Sequence, residues 1–538
     1  MMNYCGLLKT KLLIVKKNII VFIFFATYLG IGLAVYSDYG ISWDEPLSRM
    51  NGEVNFKYVS EKLAPSWAAG KFNNTPKLHE WMDKDYGVAF ELPLYAIEKI
   101  AKPRDERDIF LLRHLITFLY SSIGAWFLYK IICLRYKDWR LGLLAASFLV
   151  LSPRVFGDSF YNSKDLVFMV AFLVATYTLY AFILQANLRN TLIHSFATAF
   201  ATDIRIAACS IVLLTCGALL IQICSTKKKF ALVKFHALYI ILTAGFIVLM
   251  FPWLWESPVE NFASALKNMT NFRWNLDLLY LGGRVNSQNL PWHYIAVWIF
   301  ITAPLFISVL FILGTFSNFK NLITALIKNK KFTNDEIFDG VILTVLFGFI
   351  LSGIVFNSTF YDGWRQMYFI YPSFLIIAIG GVRLFFYALS KSQTLTVAGI
   401  VGILCALLWS VGILYRMHPL QNLYFNQFAG SNWRNHFDID YWGLANRSAL
   451  QYILDRDSSP IISVTTDSAT PLGLSLTMLR ATERSRLNIV ESEKSAKYLI
   501  TNYRMIKAQD QKYLTTHTIF YQIRLLGETV LTIFKLRD

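Results

Sequence analysis

The chain has 538 residues, of which 55% are hydrophobic and only 16% charged, against roughly a quarter charged in soluble domains. With 43 Phe, 28 Tyr and 14 Trp, and several apolar runs of the roughly 17–25 residues that cross a bilayer, this composition excludes a large soluble protein. The net charge of +17 sits in short Lys and Arg clusters between apolar runs, which is the positive-inside pattern and excludes a nucleic-acid-binding stripe.

In chain order, Lys9, Lys11, Lys16 and Lys17 precede an apolar run from Asn18 to Tyr36. It is longer than the apolar part of a signal peptide and no A-x-A site follows, so it reads as a retained signal anchor. Further spans are expected near 108–132, 141–152, 166–184, 191–203, 205–224, 235–251, 294–316, 340–356, 367–387 and 395–414, about eleven in all. Those at 141–152 and 191–203 are short, and so tilted, longer than drawn or partly re-entrant. With the N-terminus inside, Lys130, Arg135, Lys137 and Arg140 fall inside. So do Lys227, Lys228, Lys229 and Lys234, then Lys320, Lys328, Lys330 and Lys331, then Arg383 and Lys391. The segments 37–107, 153–165, 252–293, 357–366 and 415–538 then face outward, and function is expected on that face, where the irregular polar chain lies.

The tail reads as a small α/β unit. A helix is predicted over Ser448–Asp455 and strands over Ile461–Thr465 and Tyr498–Thr501. Phe520–Leu525 and Thr529–Phe534, joined around Gly527, resemble a hairpin. The expected architecture is an α-helical polytopic membrane protein: a transmembrane domain over 1–414 with a large first outer loop at 37–107, and an extracytoplasmic α/β domain over 415–538. Cys5, Cys133, Cys209, Cys216, Cys224 and Cys405 lie in or beside apolar runs, which implies neither a disulfide framework nor a Cys-ligated metal. There is no HExxH, Walker loop or GxGxxG signature. No cofactor is expected, dependence on a divalent cation stays open, and the lone His79 and His293 read as structural.

Three charged constellations stand out. The first is Ser37-Asp38-Tyr39-Gly40-Ile41-Ser42-Trp43-Asp44-Glu45-Pro46, with two carboxylates directly after a span. Group transfer to a hydroxyl needs a carboxylate base near the acceptor proton. A second carboxylate can position the acceptor, raise the pKa of the first, or bind a cation. The plain alternative is a solvated helix start, where acidic residues are favoured. The second runs from Ser152 to Asp165 and holds Arg154, Asp158, Lys164 and Asp165. Charges at a membrane edge are expensive and so candidates for function. Arg154 as a fork and Lys164 as a point charge suit a phosphate, and interfacial snorkelling with an Arg–Asp pair is the alternative.

The third constellation, Asn357 to Tyr368, sets Arg365 among aromatics, which suits a lipid-phosphate headgroup or an aromatic belt. Asp203 and Arg205 are two residues apart, which puts them on different faces of a helix, or they mark a span boundary facing the outer cavity; neither is assigned chemistry. The stretch His79 to Gly87, leading to Phe90-Glu91-Leu92-Pro93, reads as interfacial and amphipathic, with Lys84 and Glu91 as additional site candidates.

Taken in order, these pieces resemble the polytopic, lipid-dependent glycosyltransferases of the GT-C superfamily, in the protein O-mannosyltransferase and lipid A aminoarabinose transferase branch. The resemblance rests on Trp43-Asp44-Glu45, on Phe156-Gly157-Asp158 through Lys164-Asp165, and on Tyr361-Asp362-Gly363-Trp364-Arg365. Tyr424-Phe425-Asn426 and Asp440-Tyr441-Trp442-Gly443 complete it. It implies an enzyme in the lipid bilayer that moves a sugar from a polyprenyl-phosphate donor to a hydroxyl of a glycan, lipid or protein. Transfer would occur on the extracytoplasmic face, with inversion, in a bacterial plasma membrane. It makes Asp44 the base, Glu45 its neighbour, Asp158 and Asp165 the second acidic pair, and Arg154, Lys164 and Arg365 the phosphate-holding cations. The chain departs from the protein O-mannosyltransferases in having Tyr86-Gly87-Val88-Ala89-Phe90-Glu91-Leu92-Pro93 where they carry a His-Pro-Pro-like stretch, and in lacking β-trefoil repeats. A secondary transporter or lipid-linked sugar flippase is the rival reading. It expects matching halves and charges near the midplane, whereas here the halves differ and the charged clusters share one face.

Overall fold

The computed structural model describes residues 2–225, 229–270, 274–328, 330–504 and 517–537, so Lys227 and Lys228 lie outside the described residues. Among the described residues, nine helices are long and apolar enough to cross a membrane. They are Val15–Val35, Glu106–Tyr136, Asp165–Leu184, Ile206–Cys224, Lys229–Met250, Leu305–Ile327, Asn334–Val355, Arg365–Leu389 and Gln393–Met417. The chain is a multi-pass membrane protein.

The count differs from the eleven expected, for local reasons. The run at 141–152 becomes the helix Trp139–Val150, which breaks and bends by 69° into Pro153–Tyr161. Pro153 opens the second piece, a position that tolerates its missing N–H. The run at 191–203 is a helix of only 15 residues, Leu188–Thr202, too short to span. The run at 294–316 is broken at Ala303-Pro304, and the span is instead Leu305–Ile327.

Two helices form the centre of the bundle: Asp165–Leu184 is 83% buried and Arg365–Leu389 72%, whereas Val15–Val35 and Gln393–Met417 are 11% and 17% buried. The peripheral helices turn most of their apolar surface to lipid. Where Leu305–Ile327 crosses the second central helix, a Cβ on Gly314 would overlap the Ile377 carbonyl, and one on Gly381 would overlap that of Leu310. Only glycine permits this backbone contact. The span Asn334–Val355 contains a π turn at Thr344–Gly348, a wide turn that recurs at functional sites. At one end of the bundle, Arg135 donates to Asp339 at 2.8 Å and 2.5 Å. The candidate residues all lie at the other.

At that end the first span is followed by the helices Glu45–Leu63 and Glu91–Ala101, tied by Arg49 donating to Glu98 at 2.9 Å and 2.5 Å. A hairpin of β1 (Asp277–Tyr280) and β2 (Gly283–Asn286) was not expected from sequence. Its turn rests on Gly282 at φ +82°, a conformation glycine adopts without penalty. The C-terminal unit is a five-stranded sheet built from β3 (Ile462–Thr466), β4 (Leu487–Ile489), β5 (Tyr498–Thr501), β6 (Thr518–Leu525) and β7 (Glu528–Lys535), in the order β4-β3-β5-β7-β6. The β3–β4 and β3–β5 pairs are parallel, and β5–β7 and β6–β7 antiparallel. The predicted helix is Ala445–Arg456, and the hairpin around Gly527 is β6–β7. The short β4 has no pattern that a sequence reading could isolate.

Candidate functional site

The two first-loop carboxylates part company. Asp44 occupies the N-cap position of Glu45–Leu63, yet its side chain makes no capping bond. Glu45 does the local work. Its carboxylate accepts the Ser42 backbone N–H at 2.7 Å, closing the turn that leads into the helix, and lies 3.0 Å from His114 Nε2. Asp44 turns across the molecule instead. Arg365 Nη1 donates to Asp44 Oδ2 and to Asp165 Oδ2, at 2.8 Å each. The Asp44 side chain is 38% exposed and that of Asp165 1%, so one carboxylate of the pair meets the surroundings and the other is enclosed.

Local structure explains why these groups converge. Asp165 begins its helix, with its backbone N–H bonded to Asn162 Oδ1 at 2.8 Å, and the positive helix end favours its charge. Arg365 is carried inward by Asp362 and Gly363, at φ +56° and +77°. Trp364 then anchors the turn by donating its indole N–H to Thr302 Oγ1 at 2.8 Å. The Arg365 guanidinium lies 5.1 Å from the Tyr361 ring, 5.2 Å from Trp442 and 5.9 Å from Tyr441. Such rings favour a planar cation. Its Nη2 is 3.5 Å from Asp362 Oδ2, and its Nε is buried without a hydrogen-bond partner among the described residues.

Asp203 and Arg205 correct the sequence reading. They do not sit on two helix faces, because Leu188–Thr202 ends before them. In the turn that follows, Asp203 Oδ1 accepts the Val88 N–H and its carbonyl accepts the Ala89 N–H, both at 3.2 Å. Gly87 is needed there, since a Cβ would overlap the Asp203 backbone. Arg205 pairs with Asp165 Oδ1, and so joins the cluster that Asp165 shares with Arg365. It is the functional candidate that sequence reasoning missed. The available signal was a charge placed between two apolar runs. The same docking sets Tyr86 under Lys164, whose ammonium is 3.5 Å from the ring centroid. Burial, then the neighbouring Arg205 charge, lowers the Lys164 pKa below its ordinary value.

A cavity of about 240 Å³ opens beside this cluster, lined by Tyr86, Arg205, Tyr361 and Gln366 among others. Phe349 and Ser352 also line it, and both belong to the wall of a second, almost wholly apolar groove of about 810 Å³ between Ser210–Ser225 and Asn334–Val355. The π turn Thr344–Gly348 lies in that groove's wall.

The remaining candidates are placed apart or in supporting positions. Asp158 is 1% exposed and accepts from Tyr161 Oη at 3.0 Å and Asn162 Nδ2 at 3.4 Å. Arg154 donates from Nε to the Tyr424 carbonyl at 2.9 Å and lies 4.6 Å from the Phe425 ring and 5.4 Å from Trp298. Its hydrogen bond and ring contacts therefore go to the 424–425 segment and Trp298 rather than to the Arg365 cluster. Glu91 pairs with Arg113 and accepts from Ser163 Oγ at 2.6 Å, next to Lys164. Lys84 lies at the surface, donating to the His79 carbonyl at 2.6 Å. His79 is exposed beside Glu80, and His293 Nδ1 is 2.7 Å from Tyr280 Oη. Among the described residues no group of three or more His, Cys, Asp or Glu is placed to hold a metal ion.

Chemically, the arrangement offers an accessible carboxylate, three cations within one cluster, and a cavity that shares two wall residues with an apolar groove. No family model and no curated protein matches the sequence. Among solved structures, the chain is similar to ArnT from Cupriavidus metallidurans bound to undecaprenyl phosphate, at 11% identity and a TM-score of 0.46, over 95% of this chain and 97% of that one. It is also similar to the arabinofuranosyltransferase AftD from Mycobacteria, at 13% identity and a TM-score of 0.45, over 96% of this chain and 40% of that one.

Proposed function

We propose that the protein is a membrane glycosyltransferase that moves a sugar from a polyprenyl-phosphate donor to an acceptor hydroxyl. One observation carries this reading: the cavity lined by Arg205, and by the Tyr86 and Tyr361 rings that lie against Lys164 and Arg365, shares Phe349 and Ser352 with an apolar groove. A ligand with an anionic head and an extended apolar tail matches that pair of spaces. Among the described residues the buried Nε of Arg365 has no hydrogen-bond partner, and a phosphate oxygen would satisfy it in the bidentate manner arginine favours. The ordered sequence motifs shared with the GT-C superfamily support the same reading.

In this mechanism the acceptor hydroxyl approaches Asp44, the exposed carboxylate of the cluster. Its oxygen attacks the anomeric carbon, and its proton passes to Asp44 as the bond forms. The bond from the anomeric carbon to the phosphate oxygen breaks, and the electron pair leaves with the polyprenyl phosphate. Arg365, Lys164 and Arg205 stabilise the charge that develops there. A single displacement of this kind inverts the anomeric centre. Arg365 also holds the Asp44 side chain in place through the 2.8 Å hydrogen bond, and no step calls for a metal. The positive-inside charge distribution supports an extracytoplasmic site in a plasma membrane. The transmembrane unit 1–414 then carries the chemistry and the unit 415–538 lies on the same side.

The test is incubation of the purified full chain with a panel of polyprenyl-phosphate sugars and mixed acceptor hydroxyls. Consumption of at least one donor, with release of polyprenyl phosphate, is expected. Uptake of substrate into vesicles with no glycosyl product would refute this reading in favour of transport.

A further inference from the structure

Arg365 has three carboxylates around it, and the third is unlike the other two. Asp44 and Asp165 both accept from Nη1 at 2.8 Å, while Asp362 stays 3.5 Å from Nη2. What holds Asp362 back comes from the C-terminal unit. Arg504 Nη2 donates to Asp362 Oδ1 at 2.6 Å, and Arg504 Nη1 lies 2.8 Å from Asp438 Oδ1. The side chains of Arg504, Asp362 and Asp438 are 6%, 10% and 8% exposed. Solvent therefore screens this chain of charges little, and each partner matters.

The backbone around it is unusual as well. Asp362, Asp440 and Tyr503 all adopt left-handed conformations, at φ +56°, +37° and +61°. None is glycine, so each costs energy that the surrounding structure must offset, a pattern that clusters at functional sites. Asn502 ties one of them to Arg504: its Nδ2 donates to Asp440 Oδ2 at 3.0 Å, and its Oδ1 accepts the Arg504 N–H at 3.2 Å. Arg504 lies three residues past β5, beyond the carboxyl end of the parallel β3–β5 pair, the edge at which open α/β sheets present ligand-handling loops. Tyr441 and Trp442, from the segment leading into the same unit, flank the Arg365 guanidinium.

We propose that the C-terminal unit completes the site: Arg504 is a positioning residue that draws Asp362 away from Arg365, so that the Nη2–Nε edge of that guanidinium keeps its hydrogen-bonding capacity for the phosphate of a polyprenyl-phosphate ligand. Without Arg504, the remaining cation facing Asp362 is Arg365. The carboxylate then closes on Nη2 and occupies the edge the phosphate would take. The inference rests on the donor class proposed above, so it is tested by binding and not by turnover.

The experiment measures the affinity of the full chain for a short-chain polyprenyl phosphate, as the ligand-dependent rise in unfolding temperature, for wild type, Arg504→Met, Asp362→Asn and the double variant. Arg504→Met should weaken binding by roughly tenfold, within the usual range of coupling between adjacent charged groups. Adding Asp362→Asn should restore it, because the competing carboxylate is gone. Asp362→Asn alone should bind at least as well as wild type, and it tests the idea even where Arg504→Met does not fold. A double variant no better than Arg504→Met, or weaker binding by Asp362→Asn alone, would overturn the proposal, since a purely structural Arg504 predicts no rescue. Wild-type binding with no sugar consumed would sink the transfer reaction and leave this inference standing, whereas absence of wild-type binding overturns both.

Discussion

Asp44→Asn and Asp165→Asn make the same chemical change on two carboxylates that share one nitrogen of Arg365, and they should fail in opposite ways. Asp165 is 1% exposed and paired with both Arg365 and Arg205. Neutralising it leaves two enclosed guanidiniums short of a counter-charge, and breaking a buried pair costs about 3–5 kcal/mol. Asp44 is 38% exposed, so solvent screens its pair, and loss of a screened pair costs about 0–1 kcal/mol. The asparagine oxygen can still accept from Arg365. It cannot take the acceptor's proton, and loss of a general base slows reaction by about 10²–10⁴-fold, or about 3–5 kcal/mol of barrier. Unfolding temperature and donor turnover, measured on the same detergent-solubilised samples, separate the two. Asp44→Asn is expected to unfold as wild type and to lose turnover, and Asp165→Asn to unfold early. The reasoning is refuted if Asp44→Asn turns over within about tenfold of wild type or unfolds as early as Asp165→Asn.

Three further outcomes are expected. Gly87→Ala drives a methyl into the Asp203 backbone, which costs about 1–3 kcal/mol and shifts Tyr86 from under Lys164. Both unfolding temperature and donor KM should change, and wild-type values for both would dismiss the close approach. Lys164 holds phosphate only while protonated, and its pKa is lowered, so donor binding is full on the acid side and falls as pH rises, earlier than for an ordinary lysine. In a profile of kcat/KM between about pH 7 and 10, Lys164→Arg should move that alkaline limb upward, because arginine keeps its charge. An unmoved limb would assign it to another group. Ser352→Trp obstructs the junction of cavity and groove. It should weaken long-chain donors and spare short-chain analogues, and equal loss for both would place the tail elsewhere.

Much of the site is legible in the sequence because charge at a membrane edge is conspicuous. Asp44, Lys164, Asp165 and Arg365 each stand out against apolar neighbours. Their pairing does not, since Asp165 and Arg365 meet across 200 residues and nothing local encodes that contact. The division of labour between Asp44 and Glu45 depends on which one turns back to the Ser42 N–H, a matter of loop geometry. Arg154 shows the reverse case. It carries the same sequence signal as Lys164, yet its hydrogen bond and ring contacts go to Tyr424, Phe425 and Trp298. Arg504 lies in ordinary polar sequence and acquires its position only through the packing of the C-terminal unit. The spans were readable by hydropathy except at Pro153 and Pro304, where proline breaks the run, and at Leu188–Thr202, which is too short to cross.

The contact of Gly314 and Gly381 with the opposing helix backbones has a mechanical meaning. With no side chains between them to slide or change rotamer, Leu305–Ile327 and the second central helix behave as one beam, and that flank of the molecule cannot breathe. Compliance is left to the groove beside that beam, where the wall formed by Asn334–Val355 carries a π turn. On the proposed reading, a lipid-tailed donor would come in sideways from the bilayer by way of that groove. The stiff beam holds Arg365 in register while it does so.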